Sequence, residues 1–172
     1  MTNLKYPIGE YHHPADVDMV QIDKWVSDLE KFPQELIAIT STLTEAQLDV
    51  AYRPGGWTVR QVIHHLADSH VNAYTRVKLT LSEDNPVIRP YDETTWAELP
   101  DAKNGDIGMS IEMIKAIHHR LVTTFRETPI NDFGRQYIHP TGHQQLNLSY
   151  LVGSYAWHGK HHLAHILSTL SS

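Results

Sequence analysis

Apolar residues recur at spacings of three to five along much of this chain, and that rhythm commits it to helices packed face to face. From about Asp18 to Thr42 the stripe reads Val20, Trp25, Leu29, Phe32, Leu36 and Ile39. Pro33 lies inside it, so a kink or two consecutive helices are expected there. Thr44-Glu45-Ala46-Gln47 has the form of a capping box and suits a short helical turn. After the loop Arg53-Pro54-Gly55-Gly56, Thr58 is a good N-cap for a helix from about Val59 to Leu81, with Val59, Ile63, Leu66, Tyr74, Val77 and Leu81 on one stripe. A third helix is expected from about Ser110 to Thr128, and a last one from near Asn147 or Ser149 to about Leu170.

Residues 133–146 read differently, as a small β-hairpin. The first residues, up to about Asp16, read as an arm rich in Pro, Gly, Tyr and His. The expected fold is therefore all-α: a four-helix bundle with a β-hairpin before the last helix, in a single domain over residues 1–172. Residues 83–108, with Pro86, Pro90, Trp96 and Pro100, make a long crossover of a length that often covers a site.

Composition narrows the function classes. A length of 172 residues and 41% hydrophobic content are enough for one real core. A net charge of -6 offers no basic field for nucleic acid or an anionic membrane. No apolar run approaches the roughly 20 residues that span a bilayer, and the opening residues lack the apolar core of a signal peptide. A cytoplasmic protein is expected. With no cysteine in the chain, thiolate metal sites and disulfides are excluded, and any transition-metal chemistry falls to its 13 histidines.

Those histidines cluster, most densely in Trp157-His158-Gly159-Lys160-His161-His162-Leu163-Ala164-His165. Residues four apart on a helix share a face, close enough for two imidazoles to reach one ion. Two such pairs exist, His158/His162 and His161/His165, and spacing alone does not choose between them. A third ligand is available from the second long helix, in His64-His65-Leu66-Ala67-Asp68-Ser69-His70. His65 adjoins the apolar stripe and borders the core, whereas His64 turns further away. Asp68 lies about a turn beyond both and could orient a ligand imidazole.

The chain resembles the DinB-like superfamily of metal-binding four-helix bundles, and within it the YfiT branch. The resemblance is carried by Lys5 to Tyr11, by Gly55 through His70, by Arg89-Pro90-Tyr91-Asp92-Glu93, and by the Trp157-His158-x-x-His161-His162 segment. It implies one divalent metal ion held by His65, His158 and His162, with His161 and His165 as neighbours or surface residues. It also implies a homodimer.

Three neutral imidazoles leave an ion doubly charged, with positions open for water or substrate. The first expectation is a metal-dependent hydrolase of a small molecule, using water activated at that ion. Zinc is the first choice and nickel the second. The segment is not a zincin motif, because Gly159 stands where that motif has its glutamate base. Asp68 and His161 are the base candidates. The resemblance supplies an alternative, an S-transferase in which the metal binds a low-molecular-weight thiol as nucleophile. A second alternative is a non-catalytic metal-binding protein.

Overall fold

Helices begin where a short polar side chain can satisfy their first free N–H groups, and the long helices here follow that rule. In the computed structural model, which describes residues 4–170, α1 (Met19–Thr40) is capped by Asp18, whose carboxylate accepts the Gln21 N–H at 2.8 Å. Thr44 and Gln47 close a capping box on the short α2 (Glu45–Leu48), and Thr58 and Gln61 close another on α3 (Val59–Ser82). The crossover holds two short helices, α4 (Glu93–Ala97) and α5 (Pro100–Asn104), before Asp106 caps α6 (Ile107–Arg126). Strands β1 (Gln136–His139) and β2 (Gln144–Asn147) pair antiparallel, with Tyr137 opposite Leu146. At the start of α7 (Leu148–Leu170), the Asn147 side-chain carbonyl accepts the Tyr150 N–H at 2.9 Å.

The four long helices are α1, α3, α6 and α7. Both α1 and α3 pack on α6 and on α7, so α1 and α3 stand diagonally across the bundle. Two apolar clusters fill its interior. One gathers Ile22 to Leu29 of α1, Ala73 and Val77 of α3, Leu121 to Phe125 of α6, and Leu148 to Ala156 of α7. The other gathers Phe32 and Leu36, then Val59 to Ala67, then Ile114, then Leu163 and Ile166. The order in which each helix meets the clusters gives its direction: α1 and α7 run one way, α3 and α6 the other. Two helices running the same way cannot be joined by a short turn, and this is why a long crossover separates α3 from α6. Its residues tie back to α3: Gln61 donates to the Ala97 carbonyl at 2.8 Å, and Arg60 donates to the Gly105 carbonyl at 3.0 Å.

Two details of α1 differ from the sequence reading. The helix passes through Pro33 as one element, which removes the alternative of two consecutive helices. Pro33 forfeits a backbone hydrogen bond, and burial of Phe32 and Leu36 on either side of it offsets the loss. Val20 points to solvent at 77% exposure, and Ile22, at 1%, takes its place in the core.

The arm closes over α7 because Gly153 has no side chain: a Cβ there would collide with the Tyr11 hydroxyl and lie 2.8 Å from the Trp25 ring. The hairpin is held to the far end of α3 by Arg135, which donates to the carbonyls of Thr80 at 2.8 Å and Glu83 at 3.0 Å. Its strand β1 also bridges the crossover, Ile138 donating to the Pro86 carbonyl and accepting from the Ile88 N–H. Among the described residues, no helix is long and apolar enough to cross a membrane. The expected domain span of 1–172 includes residues 1–3 and 171–172, which lie outside the described residues.

Candidate metal centre

Between the two apolar clusters lies a layer of imidazoles. His65 comes from α3, and His158 and His162 come from successive turns of α7. Ring centroids are 5.3 Å apart for His65 and His158, 4.9 Å for His65 and His162, and 4.5 Å for His158 and His162. One ring nitrogen from each lies within 4.8 Å of the others. His65 and His158 approach Nε2 to Nε2 at 3.3 Å.

That separation suits a shared cation. Two nitrogens each about 2.1 Å from one ion in tetrahedral geometry stand about 3.4 Å apart. Burial holds His65 down at a pKa of about 4, and burial followed by the neighbouring histidines holds His158 and His162 well below the ordinary value. All three are therefore neutral at pH 7, the form in which imidazole offers a lone pair to a metal.

The other sequence candidates separate clearly. His64 is buried on the opposite flank, its Nδ1 2.8 Å from the Ser110 hydroxyl and its Nε2 3.3 Å from the Gly105 carbonyl. The Asp68 carboxylate makes no hydrogen bond to a histidine among the described residues; burial, followed by Asp101, raises it to about 6. His161 stacks on Trp157 at 4.4 Å, and burial, followed by His165, lowers it to about 4. His165 stacks on Tyr52 at 3.9 Å, with its Nδ1 3.3 Å from that of His162.

Two further members of the layer were given no role of their own by the sequence reading. His70 of α3 has its Nε2 3.2 Å from His158 Nδ1 and its Nδ1 2.7 Å from Nε2 of His118 on α6. His118 in turn donates from Nδ1 to the Leu29 carbonyl at 2.6 Å. A signal for His118 exists in the sequence, since it falls in line with Ile114, Leu121 and Phe125 on the buried stripe of α6. His70 carries the same signal, since it falls in line with Ile63, Leu66, Ala73 and Val77 on the buried stripe of α3. Phe32 lies against both rings, at 5.6 and 5.0 Å.

Gly159 makes that arrangement possible. A Cβ at this position would sit 2.8 Å from the Phe32 ring. Gly159 is buried, and only Lys160 of this pair reaches solvent, where it pairs with Asp28 at 2.6 Å. The residue that departs from the zincin pattern is thus a packing requirement of this bundle.

The three histidines face a cavity of about 720 Å³. Tyr6 of the arm, Tyr52 and Trp57 before α3, Arg76 of α3, Tyr91 of the crossover and Tyr155 of α7 share its wall. The crossover and the arm therefore border the site, as the length of the crossover suggested. His161 and His165 also line the cavity; Asp68 does not. Arg76 donates to the Tyr155 hydroxyl at 3.3 Å. Arg76 Nε, Trp157 Nε1 and His161 Nδ1 are the buried side-chain polar atoms without a hydrogen-bond partner among the described residues, and all three belong to this wall. Such unmet groups are rare in folded proteins and concentrate at working sites.

A four-helix bundle with three inward-facing histidines beside an open cavity defines a class of histidine-centred helical metalloproteins. The family model described as the DinB superfamily matches residues 28–166, and this chain belongs to that superfamily. It is 49% identical over 166 residues, 96% of this chain and 94% of the relative, to a Bacillus pumilus protein named "Putative metal-dependent hydrolase". It is 46% identical to "Putative metal-dependent hydrolase YfiT" of Bacillus subtilis, over 95% of this chain and 92% of the relative. The solved structure of YfiT from Bacillus subtilis superposes with a TM-score of 0.96 at 44% identity, covering 98% of this chain and 97% of that one. YfiT is described there as "a probable metal-dependent hydrolase with an unusual four-helix bundle topology".

Proposed function

We propose that this protein is a metal-dependent hydrolase of a small polar molecule, with His65, His158 and His162 holding one divalent ion, zinc in preference to nickel. The observation that carries this reading is the convergence of three neutral imidazole nitrogens at the floor of a cavity large enough for a small substrate. An ion bound there would lower the pKa of a water to about 7 and polarise a carbonyl. The chain's own part is to hold the three rings, to dry the floor with Trp57 and Tyr52, and to position the substrate.

Arg76 and Lys5 both line the wall, and Arg76 suits an anionic or strongly polar part of the substrate. Of the two base candidates, His161 lines the cavity and is neutral at pH 7, so it can accept a proton as water attacks. Asp68 stands outside the wall, which favours His161.

Purified protein should contain about one metal ion per chain by elemental analysis, and His158→Ala should bring that content close to zero. Panels of esters and amides, with and without a small thiol, then test the chemistry. Turnover without thiol, lost in His158→Ala and on chelation, is the expected result. Turnover only with added thiol would replace hydrolysis by thiol transfer, and silence in every panel would leave a binding protein.

A further inference from the structure

We infer that two histidine relays, each ending on a backbone carbonyl, fix the tautomers of His158 and His162 and so aim their Nε2 lone pairs at the metal position. The first relay runs from His158 through His70 and His118 to the Leu29 carbonyl; the second runs from His162 through His165 to the Lys5 carbonyl. The inference rests on the metal-centre reading and deepens it, by assigning positioning roles to His70, His118 and His165.

The carbonyl at the end of each relay decides where every proton sits. A carbonyl oxygen only accepts, so the ring nitrogen facing it must carry the proton. His118 Nδ1, 2.6 Å from the Leu29 carbonyl, is thus protonated, and in a neutral ring its Nε2 is bare. That bare nitrogen, 2.7 Å from His70 Nδ1, obliges His70 to carry its proton on Nδ1 and to leave Nε2 bare. His158 Nδ1, 3.2 Å away, must then donate, and His158 Nε2 is left with a free lone pair. It is the Nε2 of His158 that faces His65.

The second relay reaches the same outcome from a different end. His165 Nε2 faces the Lys5 carbonyl at 3.3 Å and carries the proton, so its Nδ1 accepts from His162 Nδ1 at 3.3 Å. His162 Nε2 is again bare. Each contact between two ring nitrogens in these relays is a hydrogen bond only if one nitrogen carries the proton and the other is bare. The ring planes of His70 and His118 are 19° apart with centroids at 4.8 Å, and Phe32 flanks both. Metal-binding histidines commonly hand their second N–H to a carboxylate or a carbonyl. Here other imidazoles stand between the ligand and that acceptor.

Histidine-selective ¹⁵N NMR of the metal-free protein reads the tautomers directly. The expected spectrum has the proton on Nδ1 of His158, His162, His70 and His118, and on Nε2 of His165. His118→Leu removes the acceptor of the first relay. It should return His158 to a mixture of tautomers and weaken zinc binding, measured against a chromophoric chelator, by about 10–100-fold. His118→Gln keeps one donor and one acceptor and should recover most of that loss. A purely structural role for His118 would move the denaturation midpoint without moving the His158 tautomer. Wild-type protein with His158 protonated on Nε2 overturns the inference, and so does unchanged zinc affinity in a folded His118→Leu protein. Should His118→Leu fail to fold, the wild-type spectrum still decides the first relay and His165→Leu the second. A wild type that binds no zinc yet shows the predicted tautomers would sink the metal reading and spare the relays.

Discussion

The two apolar clusters and the histidine layer between them are built on opposite terms. Each cluster is built almost wholly of buried apolar side chains, and fully burying one of the large ones contributes roughly 1.5–3 kcal/mol. The layer buries His65, His70, His118, His161, His162 and His165 at no more than 7% exposure, and polar groups so placed cost free energy unless every one finds a partner. The clusters hold the helices at a fixed distance, and that rigidity lets the layer keep its rings neutral and aligned. Stability and function are thus carried by adjacent slices of the same four helices.

Acid should expose the contrast most strongly. Folded His65 and His118 titrate near 4, whereas unfolded histidines titrate near 6.5. Between those values the unfolded chain binds more protons, so metal-free protein should lose stability as pH falls from about 6.5 to about 4. Each of these two histidines contributes up to about 1.4 kcal/mol per pH unit in that window, and nothing further below it. Denaturant titrations of chelated protein at a series of pH values measure the slope. A flat profile over the window would mean that the layer is not held neutral.

Truncating an apolar cluster should act on stability alone. Leu36→Ala, at a position with 0% exposure, is expected to cost about 2–5 kcal/mol in urea unfolding while each folded chain keeps its full metal content. Loss of metal in the folded variant would show that the slices are not separable.

Gly159→Ala sits on the seam between them. Helix propensity alone favours alanine by about 1 kcal/mol. Displacing Phe32 from the new Cβ costs about 1–3 kcal/mol, so a modest net destabilisation is expected. Because Phe32 flanks His70 and His118, zinc affinity should fall as well. Stabilisation with unchanged affinity would show that Phe32 does not support the layer.

Much of this was legible in the residues. The long helices, Thr58 as a cap and the hairpin before α7 follow from side-chain periodicity and turn chemistry, which are local. His65, His158 and His162 came from spacing joined to family resemblance, since spacing left two pairs on α7 open. The structure brings the first pair together with His65, while His161 rests on Trp157 and His165 stands behind His162. Asp68 was a candidate to orient a ligand; instead His70, 5 residues beyond His65, contacts His158, and His118, 53 residues beyond His65, contacts His70. Nothing local links those positions.

By itself the sequence determined roughly where the four long helices lie, that any transition-metal site must be built of histidine, and most of the apolar stripe on α1 and α3. Only the tertiary structure decided that α3 and α6 run the same way, that Gly159 yields its space to Phe32, and that imidazoles from three helices meet end to end. The reason is physical. Caps and periodicity act within a turn or two of chain, whereas a hydrogen bond between His70 and His118 exists only once packing has set two backbones at one fixed separation.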